Sequence, residues 1–108
     1  MVGPEKGAAG SRCDFEATFQ LLGQKYALHI LLKLVEASPR RFTELEEALG
    51  VNSATLTDRL RRMERLGLVR RDVIRVIPRR VEYMLTPMGR DLVKIFRPLQ
   101  SWREKYSH

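Results

Sequence analysis

Two short helical patterns, separated by a turn of only a few residues, are the feature that most constrains the fold of this chain. Thr43 and Glu46 have the spacing of a capping box and predict the start of the first helix. In the second, Leu56, Leu60 and Met63 recur at the interval that places apolar side chains on one helix face. Two such helices joined by a short turn predict a helix-turn-helix.

The hydrophobic pattern changes after the second helix, from a helical period to segments rich in β-branched residues. Residues 68–76 and 81–85 are typical of two strands, with Ile77-Pro78-Arg79-Arg80 between them. Proline suits a hairpin tip because its nitrogen cannot donate a hydrogen bond to the sheet. Thr86-Pro87 then predicts the start of a final helix. This order predicts a two-stranded wing directly after the helix-turn-helix.

Apolar stripes near both ends of the chain predict two flanking helices. Phe15, Phe19 and Leu22 have helical spacing, and a second stripe runs over residues 92–106. Another helix is predicted over about residues 25–37, with four apolar side chains on its inner face: Leu28, Leu31, Leu32 and Val35. The predicted fold class is mainly α (α+β), a winged helix-turn-helix domain over residues 13–108 that follows a flexible tail of residues 1–12.

Positive charge is concentrated in one segment of the chain. Between Arg59 and Arg80 the sequence holds nine arginines and only two acidic residues, Glu64 and Asp72. That segment alone accounts for the net charge of +7 of the whole chain. Such a concentration is typical of a surface that binds a polyanion, and the alternative is a solvated arginine-rich face.

Several classes of protein are excluded by what the sequence lacks. No apolar run approaches the ~20 residues that a membrane span requires, and residues 1–10 lack the apolar stretch of a signal peptide. A single cysteine, Cys13, excludes an internal disulfide and a cysteine-based zinc site. The sequence shows no glycine-rich phosphate loop and no nucleophile near a histidine. We therefore expect a cytoplasmic binding protein that is not an enzyme and uses no metal or cofactor.

Four sequence motifs stand in order along the chain: Arg41-Phe-Thr-Glu-Leu45, Leu56-Thr-Asp-Arg-Leu60, Leu66-Gly-Leu-Val-Arg70 and Pro78-Arg-Arg-Val-Glu-Tyr-Met-Leu-Thr86. Together they closely resemble the HxlR family of winged-helix regulators, and the resemblance extends from Cys13 to about Trp102. It implies a transcription factor that binds double-stranded DNA as a homodimer. Several members of that family sense oxidants or reactive electrophiles, so the resemblance also implies a candidate sensing role.

Cys13 has the position of a cysteine in that family, twelve residues before Lys25, but its surroundings differ. The resemblance implies a Cys-Pro pair, whereas Asp14 follows Cys13 here, and the family's Gly-Gly-Lys-Trp motif reads Gly23-Gln-Lys-Tyr26. A redox sensor needs a stabilised thiolate and access to solvent. Arg12 and a helix amino end favour the thiolate, while Asp14 opposes it. Cys13 is therefore either a candidate redox sensor or a chemically quiet cysteine near a subunit contact.

The amino-terminal part of the second helix of the helix-turn-helix is expected to enter the major groove of DNA. Ser53, Ala54, Thr57 and Asp58 are the candidate base-reading residues there. A threonine hydroxyl can pair with donor or acceptor edges, and an aspartate can accept a hydrogen bond from cytosine N4. Asp58 has an alternative role, because an acidic residue near a helix start also interacts favourably with the helix dipole.

The arginines are candidates for contacts with the phosphate backbone, which position a protein on DNA without reading its sequence. Arg61 and Arg62 are expected to point outward, while Arg59 either braces the domain or reaches a phosphate. Arg79-Arg80 at the wing tip are expected to clamp the backbone or to enter a minor groove. Arg41, just before the third helix, is expected to contact phosphate or to be structural.

Surplus apolar side chains on the first and last helices predict dimerisation helices, because a winged helix does not need them for its own core. The predicted contact residues are Phe15, Phe19, Phe96, Leu99, Trp102 and Tyr106. A two-fold dimer would present two recognition helices to a roughly palindromic operator. The alternative for these side chains is packing within one chain. The alternative function is a winged-helix module that binds protein, or DNA without specificity, and has no sensing role.

Overall fold

The computed structural model describes residues 15–107, in which five helices surround a small antiparallel sheet. The helices are α1 over residues 15–22, α2 (Ala27–Glu36), α3 (Phe42–Leu49), α4 (Ser53–Arg65) and α5 (Pro87–Lys105). The strands are β1 (Arg40–Arg41), β2 (Val69–Arg75) and β3 (Arg80–Leu85). The predicted mainly α winged helix-turn-helix is confirmed, with α3 and α4 as the helix-turn-helix and β2 and β3 as the wing.

The sheet contains one strand more than predicted, and its strand order is β1-β3-β2. Arg40 pairs with Tyr83, and Arg41 pairs with Glu82, both in antiparallel register. A strand of two residues is too short to show an alternating hydrophobic pattern, so the sequence carries no signal for it. The pairing matters for the site because it holds the start of α3 beside the wing.

Helix α4 is held in place by one apolar face. Leu56, Leu60 and Met63 are fully buried in the core, as the helical spacing predicts, and Leu45 of α3 belongs to the same cluster. Burial of each such side chain contributes about 1.5–3 kcal/mol relative to exposure. Because this face is fixed in the core, the opposite face of α4 is directed to solvent.

The buried face of α2 differs from the predicted one. Its buried residues are Ala27, Ile30, Leu31 and Leu34, whereas of the predicted set only Leu31 is fully buried. Leu32 is exposed, and Leu28 and Val35 lie at the edge of the core. The prediction was wrong because apolar residues occupy most sides of this helix, so their spacing does not select one face.

The caps of α3 and α4 show how the two helices are joined. The predicted capping box of Thr43 and Glu46 is wrong by two residues, because the Arg41 backbone N–H donates to Glu44 Oε1 at 2.8 Å. Glu46 instead accepts a hydrogen bond from the Ser53 hydroxyl at the start of α4. Asn52 caps α4, because Asn52 Oδ1 accepts from the Thr55 backbone N–H at 2.8 Å.

Thr86 joins the end of α4, the base of the wing and the start of α5. Its hydroxyl donates to the Gly67 carbonyl at 2.6 Å and accepts from the Gly89 N–H at 3.0 Å. Its backbone N–H donates to the Leu68 carbonyl at 3.0 Å. A Cβ at Gly89 would collide with the Leu68 carbonyl oxygen, so only glycine allows this close approach.

Candidate nucleic-acid interface

A groove of about 590 Å³ lies between α4, the start of α3 and the wing. Five of the residues predicted to bind DNA line it, and they come from three separate segments of the chain: Arg41, Thr57, Arg61, Arg79 and Arg80. The β1–β3 pairing brings Arg41 to this place, and the buried face of α4 directs Thr57 and Arg61 toward it. The fold therefore brings these distant positions together on one basic surface.

Arg71 also lines the groove and was not predicted as a site residue. It stands opposite Tyr83 in the β2–β3 register, and Tyr83 lines the same groove. Directly paired residues of an antiparallel sheet share a face, so the register places Arg71 beside the groove. The sequence alone does not specify the pairing, and the arginine cluster was the only signal for this residue. Glu64 is the one acidic residue on the lining.

Asp58 forms ion pairs with two arginines of its own helix. Its Oδ2 accepts from Arg59 Nη1 at 2.7 Å and from Arg62 Nε at 3.1 Å. Partial burial acts to raise the pKa of the Asp58 carboxyl, but the hydrogen bonds and positive charges of Arg62 and Arg59 outweigh it and lower the pKa below its usual range. The Asp58 carboxylate is therefore ionised, and it is already paired with two arginines when no partner is bound.

Arg59 connects α4 to the turn that precedes α2. Its Nε donates to the Lys25 carbonyl at 3.0 Å while its Nη1 holds Asp58, and its side chain is only 18% exposed. The adjoining Tyr26 has a left-handed backbone conformation with a φ of 73°. Of the two roles expected for Arg59, its contacts favour the brace.

The remaining arginines divide into engaged and unengaged side chains. Arg80 forms an ion pair with the mostly buried Glu82 at 2.8 Å, which offsets its charge. Among residues 15–107, no carboxylate lies within ion-pair distance of Arg61, Arg71 or Arg79. The same holds for Arg41 within residues 15–107, so these four side chains carry the uncompensated positive charge of the groove.

The candidate base-reading residues lie at the exposed amino end of α4. Ser53 and Ala54 are exposed, although the Ser53 hydroxyl is engaged by Glu46. Thr57 is half-buried at the edge of the groove, one turn further along the helix. Within residues 15–107, Ala54 and Thr57 are therefore the members of the predicted set that are not engaged by another side chain.

Most of the predicted dimer residues are exposed apolar side chains on α1 and α5, which are together termed the apolar surface of α1 and α5. Phe15, Phe19, Leu99, Trp102 and Tyr106 are each more than half exposed, whereas Phe96 is half-buried. The Phe15 and Phe19 ring centroids lie 4.5 Å apart, and those of Trp102 and Tyr106 lie 6.1 Å apart. The first five side chains are thus left largely uncovered by their own chain. Cys13 lies outside the described residues.

Two other kinds of feature are absent from the described part of the chain. Over residues 15–107, none of the helices combines the length and apolar character needed to cross a membrane. Within the same range, no three His, Cys, Asp or Glu side chains are grouped as a metal site would require.

Comparisons with known proteins agree with this architecture. Residues 21–108 match the family model described as HxlR-like helix-turn-helix. The chain is 34% identical over 95 residues to the uncharacterized HTH-type transcriptional regulator YdeP of Bacillus subtilis, covering 87% of this chain and 73% of YdeP.

Two solved structures are similar in both sequence and fold. The reduced form of the transcriptional regulator YodB from B. subtilis superposes with a TM-score of 0.73 at 31% identity, covering 86% of this chain and 91% of YodB. The redox regulator HypR in its oxidized form has a TM-score of 0.72 at 29% identity, covering 87% of this chain and 97% of HypR.

We expect Arg59→Ala to lower the free energy of unfolding by about 1–3 kcal/mol, because it removes two hydrogen bonds of a mostly buried charged group. Arg61→Ala is the matched control and should change stability by less than about 0.5 kcal/mol, since Arg61 is exposed. Urea denaturation followed by circular dichroism measures both. Equal stabilities for the two variants would contradict the bracing role.

Proposed function

Because the chain belongs to the HxlR-like helix-turn-helix family, we propose that this transcriptional regulator binds a specific sequence of double-stranded DNA. The observation that carries the proposal is the basic groove between α4 and the wing, with the unengaged Arg61, Arg71 and Arg79 on its lining. A duplex that receives α4 in its major groove would bring its phosphates against this groove. With this function, we place the protein in the cytoplasm of a bacterial or archaeal cell, where the chromosome lies.

The amino end of α4 is the part of the molecule that we assign to base reading. Ala54 offers a methyl group for contact with thymine, and Thr57 offers a hydroxyl for a donor or acceptor edge. Asp58 has a different role in the proposal, because its carboxylate already holds Arg59 and Arg62. It orients the two arginines on the helix surface and leaves Arg62 exposed beside the duplex.

Contacts with phosphate are assigned to arginines on both sides of the groove. Arg61 approaches from α4, Arg71 and Arg79 from the wing, and Arg41 from the start of α3. Such contacts supply affinity and register and carry no sequence information. Arg80 contributes less in this proposal because Glu82 offsets its charge.

We propose that the protein acts as a homodimer on a roughly palindromic operator. The support is the apolar surface of α1 and α5, where large side chains stand exposed on two regions of the chain. Exposed apolar patches of this kind are typical of subunit contacts, and a two-fold pair would present two copies of α4 to successive turns of DNA.

An oxidant response through Cys13 stays a prediction. HypR is described as a redox regulator, and it shares 29% identity with this chain. Without a second cysteine in the chain, oxidation would form a disulfide between subunits or with a small thiol.

The alternative function is a winged-helix module whose arginines bind an acidic protein, or DNA without regard to sequence. Both functions use the same charges, so charge cannot distinguish them. Preference for one duplex over another does, because specific complexes are about 10³-fold or more tighter than non-specific ones at physiological salt.

Fluorescence anisotropy should show that the protein prefers a duplex from its own upstream region to a scrambled duplex across a salt series. Arg79→Ala should weaken binding to both duplexes equally and reduce the salt slope by about one, because one phosphate contact is lost. Arg103→Ala removes the same charge from the last turn of α5, away from the groove, and should leave the slope unchanged. Equal, steeply salt-dependent binding of both duplexes by the unmodified protein would favour the alternative module.

We expect Leu99→Ser to shift the protein toward the monomer in sedimentation velocity at micromolar concentration, because it places a hydroxyl in the apolar contact. Val73→Ser is the control, since Val73 is an apolar residue of similar exposure on β2, outside the two helices that carry this surface. A sedimentation profile that shows only monomer before any substitution would refute the dimer.

Mild treatment with diamide or hydrogen peroxide should modify Cys13 and change the affinity for the upstream duplex. Cys13→Ser should abolish that change while leaving binding in reducing buffer intact. Mass spectrometry locates the modification, and an unmodified Cys13 after treatment would eliminate the redox hypothesis.

A further inference from the structure

The tip of the wing carries large apolar side chains that the rest of the chain does not cover. Val76 is 76% exposed and Ile77 is 88% exposed, and both lie in the turn between β2 and β3. Val73 and Ile74, near the end of β2, are also about half exposed. Hairpin turns are normally built from small and polar residues, so a continuous apolar tip indicates a surface that binds something.

The charges around the tip indicate an anionic partner. Arg75 and Arg79 flank Val76 and Ile77, and among residues 15–107 neither has a carboxylate within ion-pair distance. Arg75 also pairs across the strands with Arg80. Because Glu82 already offsets the charge of Arg80, Arg75 and Arg79 carry the uncompensated positive charge at the tip, which an anionic partner would offset.

The position of the tip indicates that its anionic partner is the same DNA duplex that is proposed to bind the groove. Arg79 is adjacent to the apolar turn and lines the groove together with Thr57 and Arg61 of α4. A duplex seated on the groove therefore continues toward Val76 and Ile77. A second copy of this chain, paired tip to tip, fits less well because it would bring a second pair of flanking arginines against the first.

The backbone of the wing changes direction just before the tip. The pairing of Val73 with Val81 is followed by that of Arg75 with Arg80, so Ile74 is an extra residue on β2. Such a bulge increases the local twist and redirects the side chains beyond it. The tip is thus a twisted projection and not a flat continuation of the sheet.

We propose that Val76 and Ile77 form an apolar wedge that enters the minor groove beside the wing and partly unstacks one base step, bending the duplex. Apolar side chains flanked by arginines act in this way in proteins that bend DNA through the minor groove, and pyrimidine–purine steps yield most easily. Arg75 and Arg79 contact the phosphates on either side of the opened step. The inference rests on the proposed function, because it requires a duplex on the groove.

Permanganate oxidises unstacked thymines and therefore detects the wedge at any base step that contains a thymine, as the flexible TA and CA/TG steps do. The probe is the upstream duplex used for anisotropy, labelled at both ends so that energy transfer also reports bending. The full-length protein should produce one or more reactive thymines and higher transfer than the free duplex. In the double variant Val76→Ser, Ile77→Ser, both signals should fall to those of the free duplex, with a loss of affinity of about tenfold.

The control variants separate the wedge from its neighbours. Leu32→Ser exposes a serine in place of an exposed leucine far from the wing turn in sequence and should retain both signals. Arg79→Ala should lose affinity and salt slope while keeping the reactive thymines in its saturated complex. Circular dichroism should show unchanged folding for the double variant, since the replaced side chains are exposed; Ile77→Ala provides a milder variant for the same comparison.

The outcomes distinguish the wedge from the function on which it rests. Preferred binding of the upstream duplex without reactive thymines or bending would overturn the wedge and leave the regulator intact. Equal binding of the upstream and scrambled duplexes would overturn both the wedge and the proposed sequence-specific regulator. Binding to phosphatidylglycerol vesicles that depends on Val76 and Ile77, or self-association that the double variant abolishes, would replace DNA with a lipid surface or a second copy as the occupant of the tip.

Discussion

The hydrogen bonds of Thr86 are the interaction on which the arrangement of the site depends. The Thr86 hydroxyl, at the base of the wing, connects Gly67, two residues after α4, with the first turn of α5. The close contact between Gly89 and the Leu68 carbonyl leaves no space for sliding at this junction. The end of α4, the base of the wing and the start of α5 therefore meet at one point. The apolar surface of α5 is attached to the same junction.

Within this frame, ion pairs determine which arginines are available to a partner. Asp58 and Glu82 neutralise the arginines that build the surface, Arg59 and Arg80, while Arg61 and Arg79 retain their charge. A basic segment of sequence is therefore not a uniform basic surface. Neighbouring residues of the same type differ in their contacts, because some arginines are held by carboxylates and others are not.

Much of the fold could be predicted from sequence because its signals are local. The spacing of Leu56, Leu60 and Met63 identified the buried face of α4, and Thr86-Pro87 marked the start of α5. The inner face of α2 could not be predicted because the helix is apolar on most sides. Long-range pairing was also hidden: Arg71 reaches the groove through strand register, and Arg59 reaches a carbonyl 34 residues away. The clustering of arginines indicated a site, but only the tertiary structure distinguishes the paired arginines from the unpaired ones.

The hydrogen bond from Arg59 to the Lys25 carbonyl has a consequence for how the sequence can diverge. The acceptor is a backbone group, so the side chain at position 25 is free to change without breaking the bond. Position 59 has no such freedom, because the guanidinium serves two acceptors that point in different directions. A lysine ammonium on its flexible stem lacks the planar fork that meets both. The two residues of this contact thus differ in how freely they can be substituted. Helix α4 is held in place by Arg59, the less replaceable of the two.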